Sequence, residues 1–416
     1  MPPAADLATV KSGYRLGSNE NVVIYVAAAV LLTSAVLWAD RPSTNERTDF
    51  SVTYTASRMV YLGLAPKLYD LREQYRLKSS LLPHAEPLIY EHPPFEALLL
   101  APLGAQPYKT AYLIWGLINV AIWLTLPFLL RPYAPVPRDD LAYAGLWVLF
   151  APLGVTLFQG QSSLVVLLLF SLSFIQWKKG HDFWAGVLLG LGSFKFQFTL
   201  PFVAVFFLLR KWRFVLGFLV SAATLAVLSL IAVGWSGIRD YIQLLSHISV
   251  GLDNQFFGSS VDMPTIAAFM QAILGKFLSS TTIALIATVT SAALILWTAW
   301  WWRKVDPPGK DARSNLMFAA TIVVSLVTGA HMFIHDMSPL LLAVLLVAPG
   351  LRGHDQSLWT PFIRTAVVLF WIPPLYFGLL AWHLGYLWLP VLISFLAGAV
   401  ALANDQKHDL GYVACG

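Results

Sequence analysis

Charge is scarce in this chain. Of its 416 residues, 12% are Asp, Glu, Lys or Arg, well below the ~25% usual in soluble domains. Hydrophobic residues make up 57%. That balance excludes an ordinary soluble domain and predicts an integral membrane protein. Cysteine is almost missing too, with one residue, Cys415, near the end of the sequence. A single cysteine excludes an intramolecular disulfide and a cysteine-ligated metal site, so loops outside the membrane must hold their shape by packing. There is no phosphate-cradling P-loop, no Rossmann fingerprint and no G-x-S-x-G elbow, so a soluble nucleotide-sugar site is not visible. Internal repeats, inverted repeats and low-complexity tracts are absent as well.

What the chain has instead is a succession of apolar runs. They cover 21–39, 110–130, 141–157, 162–177, 183–195, 197–209, 214–234, 281–302, 315–330, 337–349, 363–382 and 386–403. Read as spans, they predict an all-α polytopic membrane protein of about twelve transmembrane helices in one domain, 1–416. Several runs are shorter than the ~20 residues of an ideal span. The first run follows a polar start and lacks a small-x-small cleavage pattern, so it reads as a retained signal anchor. The 16 tryptophans often sit at run ends, as Trp38, Trp177, Trp235 and Trp301 do, which suits the headgroup region.

Orientation follows from the cations. Arg131 and Arg138, Lys178 and Lys179, Arg210 to Arg213, and Arg303 and Lys304 fall in alternate loops, which the positive-inside rule places in the cytoplasm. The net charge of +5 is thereby explained without nucleic acid. Both termini are then cytoplasmic. Two long segments, 40–109 and 235–280, become extracytoplasmic loops. Three short turns join them on the outer face, at Gln159 to Gln161, at Lys195 and at His331 to Asp336.

The polar residues on that face are the candidates for chemistry. In "RTDFSVTYTASRMVYLG", Arg47 to Gly63, a helix would put Asp49 on one stripe with Val52, Ala56 and Val60. Asp49 is then either a helix cap or a base at the mouth of the bundle. In "FQGQSS", Gln159 and Gln161 flank Gly160, and they either bind sugar hydroxyls or cap a tight turn. Lys195, in "GSFKFQF", is a lone cation in apolar surroundings. Such a lysine must be paired or snorkel, and a lipid phosphate is one partner. In "GAHMFIHDMSP", His331 and His335 are four apart beside Asp336. Without a third ligand, they read as polar lining of an outer cavity rather than a metal site.

Taken in order, "TDFSVTYTASRMVYLGLAPKLYD", "HPPFEALLLAPL", "GQSSLVVLLL" and "AGVLLGLGSFKFQFTLPFVAVFFLLRKWR" resemble glycosyltransferase family 87. These are GT-C polyprenol-phosphate-sugar-dependent enzymes that include the PimE-type mannosyltransferases. The resemblance spans about residues 22 to 214, and more loosely the turn at His331. Ser163 stands where the family often has Asn, and Phe196 where Pro often follows the lysine. The resemblance implies a GT-C bundle with outer-face juxtamembrane helices. It also implies inverting transfer of a sugar, mannose in the nearest examples, from polyprenyl phosphate to a lipid or glycan hydroxyl. Asp49 would be the base, assisted by His331. Lys195, with Gln159, Gln161, His335 and Asp336, would bind donor phosphate and sugar. No metal or other cofactor is implied. The expected partners are the lipid-linked donor, the acceptor and membrane lipids, with the chain a monomer in the inner cell membrane. The rival reading is a transporter or flippase of lipid-linked sugars, which predicts polar residues at the midplane of discontinuous helices.

Overall fold

The computed structural model describes residues 45–134, 140–249, 260–305, 312–351 and 360–413, together with Val26, Ala27 and Val30. The expected first span, 21–39, lies outside the described residues apart from those three positions, as does Cys415. The described residues are helical, with no strand.

Among the described residues, six helical stretches are long and apolar enough to cross a membrane by length and composition: Tyr108–Tyr133, Asp182–Leu208, Trp212–His247, Ser280–Arg303, Ile334–Leu351 and Gly385–Asn404. Two bent pairs raise the number to eight. Leu141–Val148 and Ala151–Gln159 meet at 45°, and Thr360–Phe370 and Pro373–Ala381 meet at 76°. The expectation of about twelve is not reproduced by these lengths. Ser163–Lys178 and Arg313–Val327 are apolar but short. Sixteen residues rise only about 24 Å, less than the ~30 Å of a hydrocarbon core. The bends have local causes. Pro373 and Pro374 open a new helix after a break at Trp371 and Ile372, because proline has no N–H to continue the previous one. Gly234, at φ 69°, interrupts the long Trp212–Ser249 helix.

Packing refines the reading of Asp182–Leu208. Ala185 O accepts from Ser173 Oγ at 2.8 Å, and Lys195 Nζ reaches Ser163 Oγ at 3.3 Å. The first half therefore runs antiparallel to Ser163–Lys178. Beyond Lys195 the contacts walk back. Phe202 meets Phe170 at 5.3 Å and Phe206 meets Trp177 at 6.2 Å between ring centroids. A straight helix could not make both sets of contacts. The chain reverses at the 3₁₀ turn Gly192–Lys195, which sets Lys195 at the tip of a hairpin, level with Ser163. Lys178, Arg210 and Arg303 collect at the opposite end, where Arg303 donates to Leu208 O.

The core is central. Ile334–Leu351 is 83% buried inside the protein, against 22% for Ser280–Arg303, so the former is enclosed and the latter peripheral. Asp182–Leu191 and the first half of Trp212–Ser249 approach backbone to backbone. A Cβ on Gly186 would stand 1.9 Å from Phe214 O, and one on Gly217 would stand 1.9 Å from Phe183 O. Neither obstacle can swing aside, so small residues are obligatory here. Gly217→Ala is therefore expected to destabilise the protein by about 1–3 kcal/mol. Thermal melting in detergent would check this, and an unchanged midpoint would contradict the packing.

Residues 45–104 form a helical layer over the Lys195 end of the bundle. Phe50–Tyr61, Leu71–Leu81 and Pro94–Leu99 are its longer helices. Ala56, Met59, Leu68, Tyr69 and Tyr90 bury themselves with Val233 and Leu244 of the long helix. The helix beyond Gly234 thus supports this layer.

Candidate functional site

Asp49 is placed by its neighbour. Phe50 is 1% exposed and packs against Tyr54, Tyr108 and Tyr112 with ring centroids 5.8–6.3 Å apart. Asp49 occupies the N-cap position of Phe50–Tyr61 but has helical φ and ψ, and its side chain makes no cap hydrogen bond. The carboxylate is instead used across the fold. Gln161 Nε2 donates to Asp49 Oδ2 at 2.8 Å, and the Asp49 backbone N–H donates to Gln159 Oε1 at 3.2 Å.

The Gln159–Gln161 turn is held as tightly. Gly160 is left-handed at φ 63°, and a Cβ there would stand 2.7 Å from Phe50 Cβ, so glycine is required on both counts. Tyr112 Oη donates to Phe158 O at 2.9 Å and Trp115 Nε1 to Gly160 O at 2.8 Å. The two amides hold Asp49 rather than merely capping the turn.

Gln161 also faces Lys195. Lys195 Nζ donates to Gln161 Oε1 at 3.3 Å, to Ser163 Oγ at 3.3 Å and to Asp336 Oδ1. With Lys195 on its oxygen and Asp49 on its nitrogen, the amide has one consistent orientation. Lys195 is 2% exposed and Asp336 is 1% exposed. The lysine's partner is therefore a protein carboxylate. Asp336 also accepts from Ser163 Oγ at 3.0 Å and from Phe333 N at 3.1 Å. His335 stands between two acids, with Nε2 3.3 Å from Asp336 Oδ2 and Nδ1 4.0 Å from Asp49 Oδ2. His331 lies further along the wall, with Nε2 3.9 Å from Glu91 Oε1.

These side chains line one cavity of about 360 Å³. It gathers Asp49, Gln159, Gln161, Lys195, His331, His335 and Asp336, all seven residues singled out from the sequence. It also holds residues that sequence reading missed: Glu91, His92 and Asp262. His92 Nδ1 pairs with Glu96 Oε2, and Asp262 faces His383 Nδ1 at 3.1 Å. The His92–Glu96 pair had a legible signal, four-residue spacing across Pro93-Pro94, where a new helix begins. Asp262 had none, since its partner is 121 residues away. Among the described residues, no group of three His, Cys, Asp or Glu side chains is placed to hold a metal ion.

A second cavity of about 300 Å³ adjoins the first through Val52, Leu88, Ile89 and Tyr90. Its lining includes Lys78, which is 6% exposed and donates to Leu88 O at 2.9 Å. Burial lowers the Lys78 ammonium pKa to about 8, with Asp49 and Glu86 acting in the opposite direction.

Fold and site together define an integral membrane protein with an acid–base-bearing cavity at one end of its bundle. The model of glycosyltransferase family 87 matches residues 90–334, more than half of the chain. The protein belongs to glycosyltransferase family 87. The match takes in Gln159, Gln161, Lys195 and His331. Asp49 lies before it, and His335 and Asp336 just after it. No curated protein and no solved structure matched the chain.

Proposed function

We propose that the protein transfers a sugar from a polyprenyl-phosphate donor to a hydroxyl acceptor, with inversion, at the extracytoplasmic face of the membrane. The observation that carries this reading is the Asp49 carboxylate, uncapped and aimed into the same cavity as Lys195. The cationic loop ends lie at the opposite end of the bundle, which favours an outward-facing cavity under the positive-inside rule.

In the reaction, the acceptor oxygen attacks the anomeric carbon as its proton passes to Asp49. The bond from that carbon to the phosphate oxygen breaks, and polyprenyl phosphate leaves with the electron pair. A single displacement inverts the anomeric configuration. Lys195, backed by Asp336, supplies fixed positive charge where the leaving group gains negative charge. His331 and His335 flank that position. The second cavity, apolar and next to Asp49, is where the acceptor's apolar part would lie. The clustering of polar groups at one end of the bundle disfavours the transporter reading, which needs them at the midplane.

Purified protein given a labelled polyprenyl-phosphate sugar, mannose first, and a glycolipid acceptor is expected to yield glycosylated product and polyprenyl phosphate in equal amounts. A nucleotide sugar should yield none. Movement of intact donor across a liposome membrane, without cleavage, would favour the flippase instead.

A further inference from the structure

We propose that His92 is a further catalytic residue, whose Nε2–H contacts the donor phosphate and carries part of the charge that builds on the leaving group. This rests on the donor reading above. It starts from a shortage of free positive charge. Lys195 is the one Lys or Arg side chain lining the main cavity among the described residues, and it is already bonded to Asp336. Asp49, Glu91, Asp262 and Asp336 all contribute acid to the same walls. A donor phosphodiester brings one negative charge, and it becomes a more highly charged monoester as the sugar leaves. A second cationic donor is needed.

His92 is built for that task. Its side chain is 21% exposed on the cavity, whereas that of Glu96 behind it is 7% exposed. Glu96 accepts the hydrogen bond from Nδ1–H, so in the imidazolium Nε2–H is the free donor. Glu96 is itself fixed, since it accepts from Ser162 Oγ at 3.2 Å and from Tyr90 Oη at 3.3 Å. A carboxylate behind an imidazole sets its tautomer and orientation and stabilises its charged form. Ser162 also joins this pair to the turn that carries Gln161 and Ser163, so His92 and Lys195 address one space from two elements.

The charge state agrees. Burial opposes the imidazolium most strongly, but Glu96 overrides it and the net direction of the His92 pKa is upward from 6.5. Lys195 works against that rise and Glu91 with it. Burial likewise opposes the Glu96 carboxylate most, and His92 followed by Lys195 and Ser162 brings its pKa below 4.5. Tyr69, Tyr90 and Tyr241 are the other titratable groups facing Glu96. His92 is therefore charged below its raised pKa, and the charge is lost as pH rises through that value.

The test is binding of polyprenyl monophosphate to the purified full-length protein from pH 5.5 to 9, alongside sugar transfer. Wild type should bind it and weaken about tenfold as His92 deprotonates, which corresponds to the loss of one good charge-assisted contact. His92→Gln should bind about tenfold more weakly at low pH and lose the alkaline weakening. His92→Arg should keep tight binding at high pH. Glu96→Gln should move the weakening to lower pH. Each variant must keep the wild-type melting temperature, and Asp49→Asn serves as a control that binds normally without turning over. Wild-type affinity and pH profile in His92→Gln, with transfer intact in wild type, would overturn the proposal alone. If wild type neither binds polyprenyl phosphate nor transfers sugar, the donor reading falls and the role of His92 falls with it.

Discussion

Asp49→Asn is expected to lower turnover by about 10²–10⁴-fold, the usual contribution of a positioned general base, with melting temperature and donor binding close to wild type. The substitution is nearly isosteric. An asparagine Oδ1 can still accept from Gln161, and the backbone bond from residue 49 to Gln159 does not involve the side chain. The Asp49 side chain is 26% exposed, so the change leaves no buried charge without a partner. What disappears is the ability to take a proton from the acceptor hydroxyl. Single-turnover transfer from labelled donor, measured at matched protein levels, isolates that step from product release. Wild-type turnover in Asp49→Asn would end the assignment of the base, and loss of the folded protein would show that the carboxylate is structural.

The sequence carried the parts of this site that depend on local patterning. Lys195 read as a turn between two apolar runs, and ring contacts show the chain reversing there. Gly160 between two amides read as a tight turn, and its left-handed backbone agrees. Asp49 read as facing the bundle, and it reaches Gln161. What was hidden has in each case a long-range cause. Asp336 lies 141 residues from Lys195, a separation that hides the lysine's protein partner from any local pattern. The stretch after Gly234 looked like loop because one glycine ended an apolar run, yet the helix resumes because Tyr69 and the layer around it give it a surface to pack on. The count of about twelve spans is not confirmed by helix length, for a physical reason too. Apolar runs of thirteen to sixteen residues form helices in a bundle whether or not they are long enough to cross a bilayer alone, and hydropathy does not distinguish an enclosed helix such as Leu340–Val347 from a lipid-facing one.

Lys195 and Asp336 allow folding and chemistry to be separated. Lys195→Met should be severely destabilising, by about 3–5 kcal/mol, because it strands a buried carboxylate without its counter-charge. Asp336 is 1% exposed, and the partners left to it are His335, Ser163 and Phe333 N. Loss of activity in that single variant would therefore say nothing about mechanism. The double variant Lys195→Met with Asp336→Asn removes both charges. Asparagine can accept from Phe333 N with its amide oxygen and donate from Nδ2 to Ser163 Oγ, whose hydroxyl can accept as well as donate, and replacing a whole buried pair by neutral groups is often close to neutral in stability. The double variant is expected to recover most of the melting temperature lost by the single one, while sugar transfer stays at least 10²-fold below wild type, the scale on which one fixed electrostatic donor acts. Melting and transfer measured on the same preparations give the answer. If the double variant regains both stability and turnover, the pair is a structural clasp and the leaving phosphate must be met elsewhere. If stability returns and transfer does not, the buried lysine is there for the charge that appears on the leaving group.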